Sequence, residues 1–84
     1  MSRAKNIVAR ILGGRSDANI DFDDLCHVLE RAGFTRRPGK GSHTIFFKEG
    51  VAEILSLQPR GSSAKPYQVK QVRDIILKYE LEIE

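Results

Sequence analysis

Cysteine is nearly absent from this sequence: Cys26 is the only one among 84 residues. No internal disulfide can form, and a reducing, cytoplasmic compartment is expected. Long apolar runs are missing as well, so no segment is expected to cross a bilayer as a helix. The N-terminal cations precede no signal-type apolar stretch. The chain has no internal repeat, linker or low-complexity tract. It is expected to form one domain over 1–84, with a core near the small end of what folds without staples. Forty per cent hydrophobic and 30% charged residues place it among globular rather than disordered chains.

Acid is also missing, from two stretches. Between Glu30 and Glu49 there is none, yet Arg31, Arg36, Arg37, Lys40 and Lys48 fall there. Between Glu53 and Asp74 there is again none, with Arg60, Lys65, Lys70 and Arg73 present. The net charge of +3 says little by itself. Its segregation predicts a basic surface for a polyanion, against the blander reading of a solvated face.

The apolar spacing predicts a short helix over 2–12, capped by Ser2, with Ile7, Val8, Ile11 and Leu12 on one side. Gly13-Gly14 ends it. A polar connection covers 15–20. A second helix is expected from about Asp23 to Ala32, with Asp21 as N-cap and Asp23 and Asp24 at the positive end of its dipole. Phe22, Leu25, Leu29 and Ala32 form its stripe, with Cys26 beside them as a buried small hydrophobe. His27 lies off the stripe and is expected at the solvated surface, with no metal-ligating neighbour one turn away.

Three strands follow: Phe34 to Arg37, 43–48, and Val51 to Leu57. Pro38-Gly39-Lys40-Gly41 is the first turn and Glu49-Gly50 a two-residue hairpin turn. These connections are too short for crossovers, so the sheet is an antiparallel meander. Residues 59–63 read as a loop. The last helix begins near Pro66 and runs to about Glu80, with Val69, Val72, Ile76 and Tyr79 buried and Ile75 and Leu77 widening the stripe. The fold class is α+β, in the order α-β-β-β-α after an extra short N-terminal helix. Both main helices should cover one sheet face and leave the other free for a ligand.

The chemistry gathers at Arg36-Arg37-Pro38-Gly39-Lys40-Gly41-Ser42-His43, before the apolar strand Thr44-Ile45-Phe46-Phe47. Glycine allows close backbone approach. Turn amides can cradle an anion. The cations attract phosphate. His43 can take and give a proton near neutral pH. Strict alternation puts His43 on one face with Ile45 and Phe47. Either that face is partly apolar and open, or a bulge near Ser42 re-aims the imidazole. The plain alternatives are a strand-entry histidine bonded to a neighbouring backbone, a Ser42 that satisfies turn groups, and glycines that only turn the chain.

Gly41-Ser42-His43, the apolar strand after it, a later strand ending in a proline and a helix after another proline resemble the HicA toxins of bacterial toxin–antitoxin pairs. Phe34 and Ile45-Phe46-Phe47 match as well, and the resemblance covers roughly 20–80. It implies a fold like a double-stranded-RNA-binding domain, ribonuclease activity on mRNA, one important histidine and a HicB antitoxin that covers the site. That histidine carries over to His43, and the motif's glycine and serine to Gly41 and Ser42. Many members have a second histidine after the first and another after the proline ending the third strand. Here those places hold Thr44 and Arg60-Gly61.

The residues support the same class. RNA carries its own nucleophile, so the enzyme needs a base, an in-line hold on the phosphate and positive charge. His43 as general base is expected to give roughly 10²–10⁴-fold. Arg36, Arg37 or Lys40 would stabilise the phosphorane, and Gly41 and Ser42 amides would bind a phosphate oxygen. Lys48, Arg60 and Lys65 complete the expected RNA-contacting set. No cofactor is called for, and no acidic cluster near the turn would bind a metal. The general acid is not identified; water and a neighbouring cation both remain open. Two other readings stand beside this one: a non-catalytic RNA-binding domain, and an interaction module whose basic face meets an acidic protein.

Overall fold

The computed structural model describes residues 2–83. Helix α1 (Arg3–Gly13) starts where Ser2 Oγ accepts the Lys5 N–H at 3.0 Å. It stops where Gly14 takes φ +73 and bonds the Ile11 carbonyl. Its buried side is Ala4, Ile7 and Ile11, with Val8 packed at the margin. Leu12, expected in the stripe, is exposed because it lies a further 100° round the helix. A single 3₁₀ turn, Asp17–Asn19, then leads to α2 (Phe22–Arg31). Phe22, Leu25, Cys26, Val28 and Leu29 are buried there. His27 is half-buried rather than fully solvated.

Strands β1 (Thr35–Pro38), β2 (Thr44–Phe47) and β3 (Leu55–Leu57) form an antiparallel sheet in sequence order. The first strand begins one residue later than expected. Phe34 instead closes α2, its N–H bonding the Leu29 carbonyl while its ring enters the core.

The second hairpin departs more. Its turn forms as expected: Val51 N–H bonds the Lys48 carbonyl, and Gly50 takes φ +88. The ladder does not resume there, because Phe46 pairs with Leu55 and the connection spans 48–54. That segment is drawn to the end of α3 (Pro66–Tyr79) instead. Ala52 N–H donates to Tyr79 Oη, and Glu53 meets both Lys78 and Tyr79. The expected loop over 59–63 is a second hairpin, β4 (Pro59–Arg60) with β5 (Ser63–Ala64). Gly61 takes φ +61 at the first central position of its two-residue turn, as a type II′ turn requires. Phe22 N–H to Ser62 and Ala64 N–H to Ile20 dock this hairpin at the start of α2.

One cluster forms the core. Leu25, Val28 and Leu29 of α2 and Val69, Val72, Ile75 and Ile76 of α3 close over Phe46, Leu55 and Leu57 of the sheet. Burying each such side chain stabilises the fold by about 1.5–3 kcal/mol. In α3, Leu77 is exposed and Tyr79 only half-buried. Both main helices lie on one sheet face, giving the arrangement of a double-stranded-RNA-binding domain. Helix α1 packs against them and is tied by Arg3 to Asp24 at 2.7 Å. Arg73 holds Asp17 at 2.9 Å and the Ile11 carbonyl at 3.1 Å. Among the described residues, no helix is long and apolar enough to cross a membrane.

Candidate active site

The β1–β2 ladder sets the position of His43. It runs in register from Thr35↔Phe47 to Pro38↔Thr44, then one step further as Gly39 N–H donates to the His43 carbonyl at 2.9 Å. His43 N–H donates to the Lys40 carbonyl at 3.0 Å and closes a four-residue turn. Gly41 takes φ +59 in that turn, a conformation that L side chains adopt at a cost. Gly39 has a different task. A Cβ there would meet Ile45 side-chain carbons at 3.2 Å and His43 Cβ at 3.3 Å. Glycine lets those two side chains lie close against the opposite strand.

No bulge interrupts this ladder, so strict alternation holds. Phe46, Leu55 and Leu57 face the helices. His43, Ile45 and Phe47 face the other way, together with Arg37 on β1 and Ser56 on β3. The sheet face away from the helices is therefore partly apolar, and the half-buried imidazole stands on it. His43 Nδ1 lies 3.2 Å from Ser56 Oγ.

Arg36, Arg37, Pro38, Gly41, Ser42, His43 and Thr44 line an open hollow of about 480 Å³. Five of the expected site residues thus meet around one space. The two arginines reach it from opposite sides of β1. Arg37 lies over the Phe47 ring, 5.5 Å from its centroid. Arg36 lies over Phe46 at 5.8 Å, with Glu30 at 3.9 Å.

The remaining expected cations are spread out. Lys40 is exposed on the turn itself. Lys65 Nζ donates to Gln58 Oε1 at 3.2 Å, and Gln58 Nε2 donates to Ser42 Oγ at 2.8 Å. Lys65 thus reaches the turn through an amide. Lys48 is at the far end of β2, its ammonium 2.8 Å from where a Cβ on Gly33 would sit. Arg60 is exposed on the β4–β5 hairpin, outside the lining of the hollow. Arg73, in the second acid-free stretch, is committed to Asp17.

Two residues at this site were not singled out from the sequence. Ser56 contacts the imidazole, and Gln58 braces Ser42. Gln58 is itself fixed by its backbone N–H, which donates to Oε1 of the buried Gln68. The alternation Leu55-Ser56-Leu57-Gln58 puts both on the non-core side of β3. Only the pairing register brings that side to His43. Cys26 takes no part: burial pushes its thiol up to about 11, which keeps it an unreactive thiol in the core.

No curated protein and no solved structure is significantly similar to the chain. A family model described as the HicA toxin of bacterial toxin–antitoxin matches residues 22–79, from the start of α2 to the end of α3. The matched segment contains the whole site and leaves out α1. Covering well over half of the chain, the match carries both the fold and the histidine turn, and the chain belongs to the HicA toxin family.

Proposed function

We propose that this chain is the toxin of a type II toxin–antitoxin pair and cleaves mRNA as a metal-independent endoribonuclease. The observation that carries the reading is His43 at a hollow bordered by two arginines, with its Nδ1 engaged by Ser56. When Nδ1–H donates to Ser56 Oγ, Nε2 holds the lone pair and serves as base.

Nε2 takes the proton of a ribose 2′-hydroxyl. The 2′-oxygen attacks the adjacent phosphorus, and the bond from phosphorus to the 5′-oxygen breaks. The products are a 2′,3′-cyclic phosphate and a 5′-hydroxyl, whose proton comes from water in the open hollow. Arg36 and Arg37 stabilise the charge added at phosphorus, and amides of Gly41 and Ser42 donate to a phosphate oxygen. The nucleophile is part of the substrate, so this route does not call on a metal-bound water. Toxins of this family act in pairs with antitoxins, and a HicB-like protein that covers the hollow is the proposed partner.

The test compares wild type with His43→Ala on a defined mRNA. Wild type should leave 2′,3′-cyclic phosphate ends. The variant should lose roughly 10²–10⁴-fold in rate while keeping RNA affinity. Equal cleavage by both proteins removes His43 from the chemistry. Binding without cleavage by wild type returns the chain to the class of RNA-binding domains. Growth arrest by wild type, relieved by coexpressing the adjacent reading frame, tests the pairing.

A further inference from the structure

The sheet face that carries His43 continues into an apolar patch that the reaction above does not use. Phe47 is 36% exposed on β2, and Ile45 beside it is half-buried. Ile54, 67% exposed, is the residue just before β3, whose Leu55 pairs with Phe46 next to Phe47. Arg37 crosses this patch with its guanidinium 5.5 Å from the Phe47 ring centroid. Phe47 lies four residues along β2 from His43, a distance of roughly 13 Å.

We infer that this face is a stacking platform for unpaired RNA bases, with Phe47 as its ring and Arg37 bridging it to the phosphate hollow. The inference rests on the ribonuclease reading and names its substrate class: single-stranded RNA. Two observations favour this occupant. A duplex presents phosphates and 2′-hydroxyls on its outside and keeps its bases stacked within. Phe47, Ile45 and Ile54 offer nothing to such a surface, whereas a splayed base stacks on an aromatic ring whatever its sequence. The platform is also continuous with charge of the right sign, because Arg37 both lines the hollow and covers the ring.

The reaction geometry agrees. The 2′-oxygen must come into line with the departing 5′-oxygen, and the regular A-form backbone holds it out of line. A nucleotide unstacked on this platform can swing its 2′-oxygen into place next to His43.

Binding and cleavage are read separately. In a His43→Ala background, a short unstructured RNA carrying 2-aminopurine is titrated against the same strand in a blunt duplex, at one salt concentration. The single strand should bind at least tenfold more tightly, and 2-aminopurine emission should change as the base stacks. Phe47→Ala should weaken single-strand binding about tenfold and abolish the emission change. Phe47→Tyr should keep both, and Ile54→Ser should show a smaller loss. If circular dichroism shows Phe47→Ala unfolded, Ile54→Ser, at a far more exposed side chain, decides alone. Equal or tighter duplex binding overturns the inference. So does unchanged single-strand affinity in the folded variants, including the case where they weaken only the complex with the antitoxin. Cleavage by wild type, followed in parallel, tests the ribonuclease reading, so the two can fail independently.

Discussion

His43 Nδ1 lies 3.2 Å from Ser56 Oγ, across the β2–β3 pair and on the sheet face away from the helices. The contact orients the imidazole and, in the tautomer that donates from Nδ1, reserves Nε2 for the substrate. Ser56→Ala should lower kcat about tenfold, the value of one lost hydrogen bond. KM and the urea midpoint should hold, since Ser56 is exposed. Ser56→Thr should restore most of the rate. A fall in stability matching the fall in activity would assign Ser56 a merely structural role.

Gly41 takes φ +59 with open space where a Cβ would project. Gly41→Ala therefore costs backbone strain and no clash. Chemical denaturation should show a loss of about 1–2 kcal/mol with an unchanged slope. Gly41→Asn should lose less, because asparagine tolerates the left-handed region.

Arg73 joins the last helix to Asp17 and to the Ile11 carbonyl, with only 16% of its side chain exposed. Arg73→Ala should destabilise the fold by about 2 kcal/mol, as expected for lost hydrogen bonds from a charged donor. Cleavage at saturating RNA should be unchanged well below the melting temperature, since Arg73 does not line the hollow. A selective loss of RNA affinity instead would place Arg73 on the binding surface.

Glu53 accepts from Lys78 Nζ at 2.9 Å and from Tyr79 Oη at 2.6 Å. Lys78 first, then Tyr79, holds its carboxyl well below the usual range, at about 2 rather than 4.5. Between those values the unfolded chain binds a proton that the folded chain does not. This contribution is present above about pH 4.5 and fades as pH falls toward 2. Urea midpoints from pH 6 to pH 2.5 should fall less steeply in Glu53→Gln than in wild type. Parallel curves would show that this exposed pair contributes nothing to acid sensitivity.

How much was legible in the sequence varies from segment to segment. The turn expected over 38–41 was readable because Pro38 fixes its own φ while Gly39 and Gly41 permit conformations that other residues resist. In the structure Pro38 still pairs with Thr44 as the end of β1, and the turn closes over 40–43. The stripes of α2 and α3 were readable because their apolar residues recur at helical spacing, and Cys26 was placed in the core by the same rule. The long 48–54 connection was not readable. Glu49-Gly50 does turn the chain, but the anchor that draws the next residues away from the ladder is Tyr79, far along the sequence. Ser56 and Gln58 were missed for a related reason. Alternation assigns each to a side of its own strand without saying which histidine or serine stands opposite.

The sequence by itself determined the order of the helices and of the three sheet strands, the histidine turn and the segregation of positive charge, all of which depend on neighbours in the chain. Tertiary structure decided which cations serve the hollow. It brought Arg36 and Arg37 there, left Lys48 at the other end of β2 and spent Arg73 on Asp17. The reason is geometric. Local spacing fixes the side of an element on which a residue projects, and only strand register and helix docking fix what that side meets.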